Sequence, residues 1–176
     1  MRMKLLAGLA LAVAAPALAQ SGGERLAAPA LPGFVTGYSA GNAQQSIREE
    51  IPRDETVERW SRMVTTQWFA GLAARATPAQ YAQNMLSKLP QQCPGARISP
   101  VSSLTVSGRP AVRFQVDCPL GSSETFILLA VAGQRDMHVK QVAWRGGTTP
   151  AGLQWGRNFL AGTVLCSAGS REPACR

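Results

Sequence analysis

The pattern of apolar and polar positions first identifies a stretch with helical periodicity in the middle of the N-terminal half. Four apolar residues recur at three- and four-residue spacing between Asp54 and Ala70, and this spacing predicts one face of an amphipathic helix. The four are Val57, Trp60, Val64 and Trp68. Acidic residues crowd the start of the stretch, as is typical of a helix N-terminus, where free backbone N–H groups favour negative charge. We therefore expect a central helix on which a sheet packs.

Two further helices are predicted from their start signals. Thr77 is followed by Pro78 and then Gln80, a combination of capping hydroxyl, first-turn proline and reciprocal amide that begins a helix. That helix is expected to end at Pro90, because proline has no N–H to donate. The pair Thr149-Pro150 repeats the start signal and predicts a last helix towards Val164, in which small residues permit close packing.

Alternating or continuously apolar runs predict strands in the rest of the chain. The predicted strands are Phe34 to Ala40, Gln44 to Ile51, Ile98 to Val106, Ala111 to Cys118, Glu124 to Ala132 and Met137 to Arg145. Glu124 to Ala132 is apolar on both faces, which is typical of a central strand. The predicted class is α+β, with an antiparallel sheet of about five to six strands packed with three helices.

The N-terminal residues indicate export. Residues 1–19 combine a basic start, a short apolar run, a proline break and small residues before a cleavage point near Ala19, as in a secretory signal peptide. No later stretch approaches the roughly 20 apolar residues of a membrane span, and no cysteine follows the cleavage point to accept a lipid. We expect a periplasmic or secreted protein without a membrane span or lipid anchor. Its predicted parts are a flexible lead-in at 20–33, a single domain at 34–166 and a disulfide-tied tail at 167–176.

The four cysteines lack the close spacing of redox or zinc motifs, and in an exported chain they predict structural disulfides. Of the three pairings, the coarse topology favours Cys93 with Cys118 and Cys166 with Cys175. Cys93 follows the second helix and Cys118 ends a strand on the face expected to receive helices, so this bridge would join helix to sheet. Neither bridge is expected to be catalytic.

The charge is positive but dispersed. The chain has a formal net charge of +8, and loss of Arg2 and Lys4 with the signal peptide leaves +6. The arginines are scattered rather than concentrated in the dense block of a nucleic-acid-binding tail, so we predict no nucleic-acid partner. Attraction to an anionic envelope component fits this charge, and so does ordinary solubility.

No familiar catalytic constellation emerges from the candidate residues. His138 is the only histidine and follows no nucleophile turn, so we interpret it as a strand-surface residue rather than a catalytic or metal-binding one. Glu49, Glu50 and Asp54 are weak candidates for a catalytic carboxylate pair, although charges at helix starts and sheet edges are commoner. We predict no metal and no cofactor.

Aromatic residues supply the candidates for ligand binding. Trp60, Trp68 and Tyr81 would line a cavity between helix and sheet if the protein carried a small molecule. Tyr38, Trp144 and Trp155 could also face a ligand, but a core position is the commoner role of such residues.

The predicted order of elements is a hairpin, a central helix, a short helix and a strand meander. This order, together with the run Glu55 to Gln67 (ETVERWSRMVTTQ) centred on Trp60, resembles a group of small exported bacterial proteins of uncharacterised function. It is also similar to the PsbP, Mog1 and DcrB-like architecture. That resemblance implies a helix-covered antiparallel sandwich over about Phe34 to Val164 and a binding or assembly role. The absence of a lipid-accepting cysteine departs from the DcrB-like lipoproteins.

Three functions are compatible with these features. The first hypothesis is a non-enzymatic exported module that binds an envelope protein or an anionic envelope component. The alternatives are a hydrolase that uses the carboxylates near Glu49, Glu50 and Asp54, and a small-molecule carrier.

Overall fold

A computed structural model describes residues 23–120 and 123–176. Within these ranges the chain forms ten β-strands, two α-helices and one 3-10 turn. The strands are β1 (Arg25–Ala27), β2 (Phe34–Gly41), β3 (Gln45–Pro52), β4 (Arg62–Phe69), β5 (Arg97–Ile98), β6 (Ser102–Val106), β7 (Arg109–Asp117), β8 (Glu124–Ala132), β9 (Met137–Arg145) and β10 (Val164–Cys166). The helices are α1 (Pro78–Gln92) and α2 (Pro150–Ala161), and the 3-10 turn is Pro173–Cys175.

The predicted fold class was wrong in its proportions. The described residues form an eight-stranded antiparallel sheet in the order β2-β3-β4-β9-β8-β7-β5, with β6 also paired to β7, and a two-stranded sheet of β1 and β10. This arrangement is mostly β, with two α-helices in place of the predicted three and more strands than the predicted five to six. Part of the excess arises because the predicted strand Ile98 to Val106 is split into β5 and β6 around Pro100, and both pieces pair with β7.

The predicted central helix does not form. The second half of its predicted range is strand β4, and the first half is a loop. A run of β-branched and aromatic side chains begins at Val64, and such residues favour a strand. The acidic start also has another use: the Glu55 carboxylate accepts hydrogen bonds from the Ser61 N–H at 2.7 Å and the Ser61 hydroxyl at 2.6 Å. The acids therefore stabilise a loop that leads into β4.

Strand β4 belongs to the centre of the sheet and contributes to both cores, so its apolar residues do not alternate with polar ones. Met63 packs in a core on the α1 face with Phe114, and Val64 packs in a second core on the α2 face with Phe159. Burial on both faces removes the period-two signal of a half-exposed strand. The helical spacing of Val57, Trp60, Val64 and Trp68 was coincidental.

Several other predictions are confirmed. Strands β8 and β9 have the predicted bounds, and β2 with β3 forms the predicted hairpin. Helix α1 has the predicted capping box at Thr77 but extends two residues past Pro90, since a single proline in the last turn removes only one helical hydrogen bond. Helix α2 begins after its Thr149 cap. It packs closely on the sheet at Gly156, where an added Cβ would lie 2.5 Å from the Trp144 ring.

Both predicted disulfides are present. Cys93 at the end of α1 is bonded to Cys118 after β7, which joins helix to sheet, and Cys166 in β10 is bonded to Cys175 in the tail. The described part of the chain contains no free cysteine. Two bridges are compatible with an oxidising compartment.

The predicted signal peptide lies outside the described residues, and so does the start of the 20–33 lead-in. The rest of that lead-in carries strand β1, which was not anticipated, and Leu26 and Ala27 are buried in it. No helix in the described ranges is both long enough and apolar enough to cross a membrane.

Candidate functional site

Three polar residues lie side by side across the α2 face of the sheet. Arg48 in β3 is directly opposite Thr66 in β4, and Thr66 is directly opposite Lys140 in β9. Cross-strand partners project from the same face of a sheet, so these side chains form one row. Glu50 lies two residues from Arg48 and therefore also projects from this face.

Lys140 is the buried end of this row. It is only 2% exposed, and its ammonium donates a hydrogen bond to the Thr66 hydroxyl, with 2.6 Å between Nζ and Oγ1. Across residues 23–120 and 123–176, no carboxylate oxygen lies within 4.0 Å of this ammonium. Burial lowers the pKa of Lys140 from 10.5 to about 8, the Glu50 carboxylate opposes that shift, and the Arg48 guanidinium adds to it.

Arg48 is the solvent-exposed end of the row. Its side chain is 51% exposed, and its guanidinium Nη2 lies 3.4 Å from Glu50 Oε2. Glu50, the carboxylate whose charge acts on Lys140, is therefore already paired with Arg48. The row holds two positive groups, one negative group and a hydroxyl.

A cavity of about 280 Å³ opens beside this row. Its floor includes Arg48, Glu50 and Lys140, and its roof is the segment 25–31, which contains β1. Phe159 of α2 forms part of the wall. With Arg25 in the roof, the cavity lining carries three cationic side chains and one anionic side chain. The cavity therefore suits a small anionic group.

A second buried polar group lies next along the same face of β9. His138 is 1% exposed and its cross-strand neighbour is Trp68. The His138 Nε2 lies 4.0 Å from Glu24 Oε2 and, within the described residues, has no hydrogen-bond partner. Burial lowers the pKa of His138, against the opposing effects of Glu24 and Asp136. The interpretation of His138 as a strand-surface residue was wrong, because the N-terminal segment covers it.

The three predicted carboxylates are not brought together. Glu49 and Glu50 are consecutive in β3 and project from opposite faces of the sheet, and burial raises the pKa of Glu49. Asp54 is exposed in the turn after β3. Only Glu50 of the three lines the cavity beside Lys140.

The predicted aromatic ligand residues occupy separate places. Trp60 is buried in the α1-face core beneath the Arg145 guanidinium, whose carbon lies 4.3 Å from the ring centroid. Trp68 is buried and donates its indole N–H to Asp136 at 2.8 Å. Tyr81 in α1 packs against Phe69, with 5.9 Å between ring centroids, and burial raises its pKa.

Of the other aromatics considered, Trp144 and Trp155 pack together in the α2-face core with an edge-to-face contact of 6.4 Å. Tyr38 is 46% exposed at the edge of the large sheet. It lines a separate cavity of about 390 Å³ with Gln67 and Phe69, in which no side chain is charged.

Lys140 was not predicted as a candidate from the sequence. The available signal was weak: in the run Met137 to Arg145, His138 and Lys140 occupy alternate positions ahead of Val142 and Trp144. Alternate residues of a strand share a face, so two ionisable groups occur on the same face as two large apolar ones. That pattern indicates either a sheet edge or a buried polar site, and only the position of β9 at the centre of the sheet distinguishes them.

The solved structures that this fold resembles include two distant ones. PA94, a protein of unknown function from Pseudomonas aeruginosa, has a TM-score of 0.46 at 15% identity, over 69% of this chain and 80% of that chain. LpqN, involved in cell envelope biogenesis of Mycobacterium tuberculosis, has a TM-score of 0.47 at 14% identity, over 82% of this chain and 85% of that chain. At this level neither match assigns a function, and the two do not confirm the PsbP-like architecture. No protein-family model matches the chain, and no curated protein matches its sequence.

Proposed function

We propose that the protein is an exported, non-enzymatic binding module that holds an anionic group of an envelope component in the cavity beside Lys140. The observation that carries the proposal is the buried Lys140 ammonium, which has a hydroxyl partner and no carboxylate within ion-pair distance in the described chain. A buried charge is costly unless an opposite charge offsets it. An anionic ligand would supply that charge.

The cavity defines the chemical class of the ligand. A carboxylate or a phosphate accepts hydrogen bonds from an ammonium and a guanidinium, and Lys140, Arg48 and Arg25 place these donors in the cavity lining. The small volume favours one anionic group rather than a whole lipid. Acidic polysaccharides and phosphorylated lipid headgroups both present such a group.

A non-enzymatic role is favoured by the separation of the candidate carboxylates. A carboxylate pair must face one cleft to act on a common substrate, whereas Glu49 and Glu50 project from opposite faces and Asp54 is exposed. Export is supported by the two disulfides and by the predicted signal peptide.

The test is a comparison of anion binding by two lysine variants. Isothermal titration with inorganic phosphate, glucuronate and phosphatidylglycerol vesicles would be run on the wild type, Lys140→Met and Lys88→Met. Lys88 is an exposed lysine of α1 and loses the same charge away from the cavity. We expect Lys140→Met to weaken binding at least about tenfold and Lys88→Met to leave it unchanged, because truncating one member of a buried charge pair costs several kcal/mol.

The three probes separate the sources of the anion. A response to glucuronate alone indicates an acidic sugar, and a response to vesicles with phosphate indicates a lipid headgroup. Binding should weaken between about 20 and 300 mM salt. Equal binding by the two lysine variants, or no binding of any probe at low salt, would overturn the proposal.

A further inference from the structure

The residue that begins the described N-terminal segment is anchored in a pocket of its own. The Glu24 carboxylate accepts a hydrogen bond from the backbone N–H of Gln134 at 2.8 Å, in the turn between β8 and β9. Glu24 is only 8% exposed. The absence of a side chain at Gly133 makes room for it, since a Cβ there would lie 2.3 Å from Glu24 Oε2. The turn therefore forms a receptor for this carboxylate.

His138 forms another side of this receptor. Its Nε2 lies 4.0 Å from Glu24 Oε2, which is within ion-pair range but beyond a hydrogen bond. The imidazole nitrogen is buried without a hydrogen-bond partner among the described residues, an arrangement that is rare in folded proteins. The two side chains are thus close and buried, and the imidazole Nε2 lacks a hydrogen-bond partner among the described residues.

Beyond Glu24, the segment is held by a short strand pairing and by apolar contacts with the α2-face core. It pairs with β10 over three residues, from Arg25 opposite Cys166 to Ala27 opposite Val164. Leu26 and Ala27 are buried, Ala28 and Leu31 pack against the α2-face core, and the Arg25 guanidinium donates to the Cys175 carbonyl at 3.1 Å. Short terminal strands of this kind open locally at a fraction of the cost of global unfolding.

We propose that residues 24–31 are a lid over the Lys140 cavity, latched by Glu24 in the receptor of Gly133, Gln134 and His138, and released when His138 is protonated. The role of the lid in ligand exchange rests on the proposed function. The latch itself rests on the contacts of Glu24 and on the roof that the segment forms over the cavity.

The direction of the pH effect follows from two competing influences on His138. Burial lowers its pKa below the ordinary value of 6.5, and the Glu24 and Asp136 carboxylates raise it; burial is the larger influence. With the lid open, water reaches the imidazole and its pKa returns towards 6.5. The open form therefore binds more protons, and acidification below about pH 6.5 favours opening by up to about tenfold per pH unit.

The other charged groups around His138 do not reverse the direction of this pH effect. Lys140 projects from the same face two residues along β9, and its positive charge disfavours an imidazolium. The Arg109 guanidinium donates to the backbone carbonyls of Ala132 and Gly133, at the turn that holds Glu24, and it also carries a positive charge. The facing residue of β8 is Val131, which carries no charge.

Hydrogen exchange measured by mass spectrometry tests the latch without a ligand. The full exported chain would be compared at about pH 7.5, 6.5 and 5, with rates corrected for intrinsic exchange. The peptide over 24–31 reports the lid, and a peptide from the β6–β7 hairpin reports global stability. We expect lid protection to fall between pH 7.5 and 5, by no more than about tenfold per pH unit below 6.5, while the hairpin stays protected.

Two variants identify the titrating group. His138→Gln should make lid protection independent of pH, and Glu24→Gln should lower it at every pH by weakening the latch. Lid protection in the wild type that is constant or increases on acidification would overturn the proposal, since an increase means that the Glu24–imidazolium attraction outweighs burial. A pH response that persists in His138→Gln would also overturn it.

Phosphate titration keeps this test separate from that of the proposed function. Acid opening without phosphate binding supports the latch and overturns the ligand role of the cavity. Phosphate binding that depends on Lys140, with a lid insensitive to pH, overturns the latch and leaves the proposed function supported.

Discussion

Replacing Lys140 by methionine removes a buried charge while keeping an unbranched side chain of similar length. The pKa of Lys140 falls from 10.5 to about 8 on folding. Each pH unit is worth about 1.4 kcal/mol, so at neutral pH the buried ammonium destabilises the fold by about 3 kcal/mol relative to an ordinary lysine. Loss of the hydrogen bond to Thr66 removes about 1 kcal/mol of this gain. We expect Lys140→Met to be more stable than the wild type by about 2 kcal/mol.

The assay is urea unfolding at neutral pH, with Lys88→Met as the matched control. In thermal unfolding, the same gain of about 2 kcal/mol would raise the melting temperature of a domain of this size by about 4–8 °C. The exposed Lys88 should change stability by less than about 0.5 kcal/mol when replaced. If Lys140 serves binding at the expense of stability, Lys140→Met should be both more stable than the wild type and unable to bind an anion.

The pH dependence gives a second, independent check. Below about pH 8, Lys140 is protonated in both the folded and the unfolded chain, and the full cost is present. Between about 8 and 10.5 the unfolded chain binds more protons, so the stability of the wild type rises with pH relative to that of Lys140→Met. A difference between the two proteins that is constant from pH 7 to 10 would refute the reasoning, as would a Lys140→Met variant less stable than the wild type.

Four further outcomes are expected. Trp60→Ala should lower the free energy of unfolding by about 3–5 kcal/mol in urea denaturation, because Trp60 is 7% exposed in the α1-face core; a loss under 1 kcal/mol would contradict that packing. Gly133→Ala should displace Glu24 and increase hydrogen exchange of the lid at neutral pH, with an unchanged lid as the contrary result. Replacing Cys93 and Cys118 together by serine should cost about 3 kcal/mol, seen as a lower urea midpoint. Phosphate affinity should fall by up to about tenfold per unit above pH 8, and a flat profile would exclude the lysine as its partner.

Local signals predicted those parts of the fold in which one sequence feature has one structural consequence. The Thr77 capping box, the continuous apolar run of β8 and the position of Cys118 on an inward face each led to a correct prediction. The stretch 54–70 failed because its apolar residues match helical periodicity, while a central strand covered on both faces has no periodicity of its own. The β-branched run from Val64 was the better indicator.

The candidate site could not be predicted in the same way because it depends on contacts distant in sequence. Glu24 meets the turn between β8 and β9 across more than 100 residues, and Arg48, Thr66 and Lys140 become neighbours only through the registers of β3, β4 and β9. A three-residue strand such as β1 is also too short to leave a periodic signal. Glu50 alone of the predicted site residues lies at the cavity.

The position of the two buried ionisable groups connects the site to its cover. His138 and Lys140 share one face of β9 with Val142 and Trp144, and a chain selected for stability alone would place apolar residues at all four positions. Instead, burial disfavours the charged form at both polar positions; Lys140 lines the cavity under the N-terminal segment, and His138 lies 4.0 Å from Glu24 of that segment. Opening that segment would hydrate both groups at once. The N-terminal segment therefore covers a buried cation that, among the described residues, has no carboxylate within ion-pair distance, which is the arrangement expected of a site that must admit and release a ligand.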